Sequence, residues 1–145
     1  MGKLRHIAIA VDDTDATATF YEQAFGMTRV RQSQNAVMLT DGVISLAILS
    51  SEHSPEAKGH HGLHHVGFIA DDVGSSGQHA ESCGAQYADS EERVAVRFAN
   101  RGQVKDGQLT ADAQHQEQRK YVDPNGVKID IVNTVHARNS WRLQM

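Results

Sequence analysis

The sequence predicts an α+β fold made of two copies of a β-α-β-β-β module in a single domain, residues 1–145. First, the run HIAIAVDD at residues 6–13 aligns with HVGFIADD at residues 65–72, with three identical positions and five pairs of small or apolar residues. Second, a segment with helical character follows each run and ends at a glycine. Third, strand-like segments follow each helix and close with a turn and an apolar strand. A sequence that repeats in this way indicates two similar modules sharing one architecture.

The first module is expected at about residues 4–50. Its opening strand leads into Asp12 and Asp13, which suit the N-cap and first turn of a helix. A helix is predicted over 14–25, with Ala16, Phe20 and Ala24 on one apolar stripe and Gly26 as its end. Strands are then predicted at 28–32, at 35–40 and, after the Asp41-Gly42 turn, at 43–49.

A linker is expected at 51–61 and the second module at about 62–133. Its helix, over about 72–83, is weakened by Gly74 and Gly77. Strands are predicted at 86–88, 94–99, 118–122 and 127–132, the last two joined by the turn DPNG at 123–126. The polar, aperiodic segment 100–117 is interpreted as a long loop. In the tail, 134–145, Trp141 either docks on the body or a partner subunit, or belongs to a frayed terminus.

Composition favours a soluble cytoplasmic protein that binds a small molecule. The net charge of -4, with scattered lysines and arginines, argues against a nucleic-acid groove. No apolar run reaches the roughly 18 residues of a membrane span, and no hydrophobic stretch follows the start MGKLRH as a secretion signal would require. The single cysteine, Cys83, cannot form a disulfide within the chain.

Strand alternation places a histidine beside small residues in both opening strands. Ile7, Ile9 and Val11 share one face of the first strand, and the opposite face carries His6 with two alanines. In the second strand His65 shares a face with Gly67. The bulky faces are expected to lie under the helices, so the histidine faces have the character of a cavity wall.

A carboxylate joins this pattern in the last strand. Asp130 lies within the apolar run VKIDIV, where burial is costly unless the carboxylate is paired or bound to a cation. Two histidines and one carboxylate suit a divalent transition metal, and with open positions this set is typical of non-haem iron enzymes. A histidine at the start of a strand can instead be a surface or capping residue. The equivalent positions of His6 and His65 in two modules favour the metal.

The sequence resembles the vicinal oxygen chelate superfamily, which includes glyoxalases, bleomycin-resistance proteins and extradiol dioxygenases. The resemblance is carried by HIAIAVDD, FYEQAFGM, GLHHVGFIADDV and YVDPNGVKIDIV, and it covers nearly the whole chain. It implies paired βαβββ modules that form a curved mixed sheet around a metal or ligand cavity. It also implies one divalent ion, such as Fe, Mn or Zn, with His6, His65 and Asp130 as ligands, and a homodimer.

Two departures from the family pattern bear on the reaction. Glyoxalases and methylmalonyl-CoA epimerases of this family use a further carboxylate on the last strand of the first module, where this chain has Leu46 or Ala47. Extradiol dioxygenases bind their metal with three protein ligands, but they use a tyrosine where this chain has Lys120. The resemblance also implies an acid–base histidine upstream of the second ligand, where this chain offers His53, His60 and His61. Lys120 and His53 are the candidates for a catalytic role.

The sequence favours a metal-dependent enzyme acting on a small, oxygen-rich, chelating substrate, with dioxygenase-like chemistry preferred slightly. A glyoxalase- or epimerase-type lyase or isomerase is the first alternative. A metal-free, bleomycin-resistance-like binding protein is the second. Of the histidines around the second strand, His60 and His61 are expected to be solvated, and His64 is expected to be structural because it faces away from His65.

Overall fold

The computed structural model describes residues 1–111 and 113–145, which form two compact units. The N-terminal unit comprises Leu4–Gly67 and Trp141–Met145. The C-terminal unit comprises Met1–Lys3 and Phe68–Ser140. None of the helices in the described part of the chain has the length and apolar character needed to cross a membrane.

The N-terminal unit contains the complete first module. Its elements are β1 (Lys3–Val11), α1 (Thr14–Phe25), β2 (Thr28–Gln32), β3 (Ala36–Thr40) and β4 (Ser45–Ser50). The strands lie in the order β2-β3-β4-β1, and β5 (Gly62–Ile69) follows β1. β1 and β4 are parallel, whereas β2, β3 and β4 pair antiparallel, so the sheet is mixed. The predicted order of helix and strands is confirmed here.

Helix α1 has the predicted bounds but turns a different face to the sheet. The Asp13 carboxylate accepts a hydrogen bond from the amide of Ala16 at 2.9 Å, and Gly26 ends the helix with φ 69°. The buried contact is made by Ala18, which packs on Val37, Leu39, Leu46 and Ile48, with Ile7, Ile9, Val11, Tyr21 and Met27 around them.

The predicted stripe through Phe20 is therefore wrong. Phe20 is 56% exposed, and Ala16 and Ala24 are exposed as well. A small side chain at the point of contact allows the helix to approach the sheet closely, and Ala18 provides it. Arg29 holds this orientation from the neighbouring strand, because its guanidinium lies 2.7 Å from a carboxylate oxygen of both Asp15 and Glu22.

The C-terminal unit repeats the same strand order with an insertion. Its elements are α2 (Val73–Ser82), β6 (Gln86–Tyr87), α3 (Glu91–Asn100), β7 (Val104–Lys105), β8 (Gln108–Leu109), β9 (Gln118–Val122), β10 (Lys128–Val132) and α4 (Thr134–Asn139). β10, β9 and β6 pair antiparallel in that order. β6, β9 and β10 thus match β2, β3 and β4, and the residues from α3 to β8 are inserted between the first two of them.

Two sequence predictions fail in this insertion. The predicted strand at 94–99 belongs to helix α3, because the Ser90 hydroxyl caps the amide of Arg93 at 3.2 Å and glutamates fill the first turn. The predicted loop at 100–117 contains the hairpin of β7 and β8, whose turn residues Asp106 and Gly107 both have positive φ. Residue 112 of that segment lies outside the described residues.

Helix α2 packs on β9 through a glycine. The Asp72 carboxylate caps α2 by accepting from the amide of Ser75 at 2.8 Å. One turn further on, a Cβ at Gly77 would meet the Tyr121 ring, with Cζ at 2.8 Å. Tyr121 is 1% exposed and packs with Ala70, Val73 and Ile131, on the opposite face from Asp130.

Candidate functional site

His6 and His65, predicted from equivalent strand positions, lie side by side in the N-terminal unit. Their side chains belong to the neighbouring strands β1 and β5, and their ring centroids are 5.2 Å apart. Both residues are buried, with 3% and 5% of their surface exposed. Two adjacent buried imidazoles require polar partners, and those partners determine which ring nitrogen is available for chemistry.

The partner of His6 in the sheet is Ser45. The parallel register of β1 and β4 sets the two residues side by side, and the His6 Nδ1 lies 3.0 Å from the Ser45 Oγ. Ser45 is fully buried, so this hydrogen bond forms away from solvent. It fixes the imidazole through Nδ1, the engagement typical of a histidine that binds a metal through Nε2.

His65 is held by a chain of hydrogen bonds that ends at the backbone of the linker. The His64 Nε2 lies 2.9 Å from the carbonyl oxygen of Glu56, and the His64 Nδ1 lies 2.7 Å from the His65 Nδ1. A carbonyl oxygen only accepts, so the His64 Nε2 donates; the Nδ1 of a neutral His64 then accepts from the His65 Nδ1–H. This assigns the lone pair of His65 to Nε2, the arrangement that a metal-binding histidine needs.

The face predicted as an open cavity wall is partly filled by the C-terminal tail. Trp141 is 3% exposed, and its indole stacks on the His6 ring with 4.4 Å between centroids and 5° between planes. A Cβ at Gly67 would lie 2.6 Å from the Trp141 Cη2. The small residue beside His65 therefore makes room for the indole, and of the two interpretations of Trp141 the docked one is observed.

Asp130 lies in the C-terminal unit and is paired there. It is 2% exposed; its Oδ1 accepts from the Lys120 Nζ at 2.8 Å and its Oδ2 from the Gln118 Nε2 at 3.1 Å. Lys120 stands directly opposite Asp130 in the β9–β10 ladder. The ammonium of Lys120 thus offsets the cost of burying this carboxylate.

The other histidines near β5 lie in the linker and make local contacts there. His53 has 43% of its side chain exposed and lies 3.7 Å from the Glu52 carboxylate. His60 and His61 are exposed; the His60 Nε2 is bonded to the carbonyl oxygen of Leu63 at 2.7 Å. His61 lies 2.6 Å from the Asp12 carboxylate, which also accepts a hydrogen bond from Ser51. The Ser51 and His61 hydrogen bonds, in that order, lower the pKa of Asp12.

The sheet register decides between the two positions considered for a further ligand on β4. Leu46 belongs to the core cluster under α1. Ala47 therefore lies on the opposite face of β4, which is the face of Ser45 and His6. An alanine cannot ligate a metal, so β4 supplies no carboxylate to this face.

The donor chemistry of the predicted ligands fits a divalent transition ion. His6 and His65 supply imidazole nitrogens, and each ring engages a neighbouring side chain through Nδ1. Asp130 supplies a buried carboxylate. Within residues 1–111 and 113–145, no group of three or more His, Cys, Asp or Glu side chains is arranged to hold an ion. The structure thus brings two predicted ligands together, with Asp130 in the other unit.

Sequence reasoning missed four contacts of these surroundings: Ser45 with His6, His64 with His65, Gln118 with Asp130, and Trp141 with His6. The position of Gln118 can be found by counting residues back from the DPNG turn. Gln118 lies on the same face of β9 as Lys120, which is the direct ladder partner of Asp130. For Trp141, the only signal is a glycine within a strand, which often marks a close approach. Ser45 and His64 require the three-dimensional register.

Comparison with known proteins supports the resemblance. The family model described as "Glyoxalase/Bleomycin resistance protein/Dioxygenase superfamily" matches residues 3–131. The Bacillus subtilis (strain 168) protein described as uncharacterized protein YwbC is 31% identical over 103 residues, which cover 61% of this chain and 77% of YwbC. The resemblance and the α+β fold predicted from the sequence are thereby confirmed.

Solved structures agree on the fold. The hypothetical protein BH1468 from Bacillus halodurans C-125 superposes with a TM-score of 0.62 at 18% identity, covering 92% of this chain and 94% of that one. A methylmalonyl-CoA epimerase, in complex with methylmalonyl-CoA and NH4+, superposes with a TM-score of 0.59 at 22% identity, covering 92% and 94%. The epimerase from Mycobacterium tuberculosis gives 0.54 at 18% identity, covering 90% and 86%.

Proposed function

Because the chain belongs to the Glyoxalase/Bleomycin resistance protein/Dioxygenase superfamily, we propose that it is a metal-dependent enzyme acting on a small substrate that chelates through two neighbouring oxygens. The observation that carries this proposal is the buried pair His6 and His65. Each Nδ1 is engaged by a neighbouring side chain, so an ion bound by both rings would be held through Nε2. Such outer contacts orient metal-binding histidines and raise their basicity.

Asp130 is proposed as the third ligand. The family resemblance supplies this assignment, and the buried, hydrogen-bonded carboxylate supports it. A cation bound by Asp130 would compete with, or share the carboxylate with, the Lys120 ammonium. Lys120 is then the proposed partner for an anionic oxygen of the substrate, since its side chain retains 22% exposure. His53 remains a prediction for an acid–base role.

Two observations favour different reaction classes. The likeness to methylmalonyl-CoA epimerases favours a lyase or isomerase that moves a proton beside a carbonyl. The slight preference for dioxygenase-like chemistry finds no support in these likenesses, and it stays a proposal only because Ala47 stands in place of a carboxylate on the His6 face. In either class the bound ion would serve as a Lewis acid toward the substrate oxygens. Oxygen uptake with catechols and solvent-deuterium exchange into acyl-CoA thioesters separate the two classes.

Metal content is the primary test. Untagged protein, His65→Ala and Asp130→Ala are reconstituted with Fe2+, Mn2+, Zn2+ or Co2+ under reducing conditions and analysed by elemental mass spectrometry. We expect roughly one ion per chain in the wild type and loss of the ion in both variants. His61→Ala is the matched control, because His61 is an exposed histidine of the linker. A wild type that binds no ion after reconstitution would contradict the proposal.

A metal-free binding protein is the second candidate, and the Lys120–Asp130 ion pair favours it. The carboxylate already has a cationic partner, so its burial requires no metal. This function predicts ligand binding that a chelator leaves unchanged. For either function we propose a cytoplasmic homodimer, as the resemblance implies; light scattering on the purified chain measures the subunit number.

A further inference from the structure

We propose that Trp141 is a positioning residue for His6: its indole holds the imidazole in the orientation in which Nε2 can bind the ion. This inference rests on the proposed metal site. It concerns a residue outside both modules of the repeat, and it follows from the stacking of two buried rings within the N-terminal unit.

The two rings stack face to face. The Trp141 and His6 rings are parallel to within 5°, with centroids 4.4 Å apart. Both residues are buried, at 3% exposure each. A planar contact over a whole ring face opposes rotation about χ2 of His6, the softest torsion of that side chain.

The space above Gly67 of strand β5 fixes the position of the indole. The strand β5 has no Cβ at Gly67, and a Cβ built there would meet the Trp141 Cη2 at 2.6 Å, the Trp141 Cζ2 at 2.7 Å and the His6 Cβ at 2.9 Å. The six-membered ring of the indole therefore occupies space that any other residue at 67 would fill. Leu143, at 5% exposure, is buried two residues further along and holds the tail against the same unit.

These contacts restrain the imidazole of His6 both at its edge and at its face. The Ser45 hydroxyl holds its edge through Nδ1 at 3.0 Å, and the indole holds its face. A ligand held in its binding orientation loses less conformational freedom when the ion binds, which increases affinity. A single hydrogen bond at Nδ1 permits a ring to tilt about that contact, and a stack on the ring face opposes such a tilt.

The test measures Co2+ affinity by isothermal titration calorimetry in the full chain, independently of any catalytic activity. Trp141→Leu removes the stack, whereas Trp141→Phe retains an aromatic face. Gly67→Ala displaces the indole without altering it, but its methyl also meets the His6 Cβ at 2.9 Å, so a loss of affinity in this variant supports the proposal only beside a loss in Trp141→Leu. Gly74→Ala is the matched control, because its added methyl has its nearest neighbour at 3.4 Å and lies in helix α2. Circular dichroism confirms that each variant is folded.

We expect Trp141→Leu and Gly67→Ala to bind Co2+ roughly ten-fold more weakly than the wild type, the low end of the loss seen when outer contacts of metal ligands are removed. Trp141→Phe is expected to restore most of the affinity, and Gly74→Ala to match the wild type. Trp141 is the only tryptophan of the chain, so its fluorescence in the wild type should be quenched in proportion to Co2+ occupancy.

The outcomes separate the two proposals. Wild-type affinity in Trp141→Leu, together with loss of binding in His6→Ala, would overturn the positioning role and leave the metal site intact. If Trp141→Leu fails to fold, equal affinity in Gly67→Ala and Gly74→Ala has the same meaning. A wild type that binds no Co2+ would overturn the metal site and the positioning role together.

Discussion

Replacing Lys120 by methionine tests whether its ammonium offsets the burial of Asp130. The carboxylate side chain is 4% exposed and the lysine side chain 22% exposed, with 2.8 Å between Nζ and Oδ1. Removing one partner of a fully buried pair costs ~3–5 kcal/mol, whereas exposed pairs contribute ~0–1 kcal/mol. Because Lys120 is partly solvated and Gln118 remains as a donor, we expect Lys120→Met to lower the free energy of unfolding by about 2 kcal/mol.

The measurement is urea denaturation at pH 7, with Lys128→Met as the matched control, since Lys128 is an exposed lysine of the neighbouring strand. The expected loss corresponds to a decrease in Tm of ~4–8 °C for a domain of about 150 residues. Added Co2+ should recover more stability in Lys120→Met than in the wild type, because the variant removes the ammonium that pairs with this buried carboxylate. A free energy of unfolding within ~0.5 kcal/mol of both the wild type and Lys128→Met would refute the reasoning.

The remaining predictions concern stability. Gly77→Ala and Gly74→Ala lie in the same helix and should change the free energy of unfolding in opposite directions. Gly77→Ala forces a methyl into the Tyr121 ring and should lower that free energy by ~1–3 kcal/mol. Gly74→Ala has room for its methyl and should raise it by up to ~1 kcal/mol through helix propensity. Equal shifts in thermal midpoint would contradict the close packing of α2 on β9. Burial lowers the pKa of His136 from 6.5 to about 3, so the unfolded chain takes up a proton below pH 6.5 that the folded chain does not. Stability should therefore fall by ~1.4 kcal/mol per pH unit between those values from this group alone, and urea midpoints at pH 7 and pH 5 should show a smaller loss in His136→Gln.

Local signals predicted most of the fold. The position of Asp13 after an apolar strand predicts a helix start, and the repeat places Asp72 at the equivalent position; both side chains accept the expected amide hydrogen bond. These elements depend on neighbours within four residues, which a sequence displays directly. The strand prediction at 94–99 is wrong, because its two valines are typical of a strand and the prediction does not take the helix cap at Ser90 into account.

The face of α1 and the surroundings of the histidines could not be read in the same way. Which side of α1 is buried depends on whether Ala18 or Phe20 fits against strands that are distant in sequence. His6 and His65 were found because the repeat relates them. Trp141 lies outside the repeat, and only the folded chain brings it to Gly67.

The hydrogen bond from His64 to the carbonyl oxygen of Glu56 constrains the chain in an unusual way. The acceptor is a main-chain atom, so the contact places no demand on which side chain occupies position 56. It does require that the linker between β4 and β5 bring that carbonyl to the same place. Insertions and deletions in residues 51–61 should therefore disturb His65 more than substitutions do, and the contact would leave no trace in a comparison of residue identities.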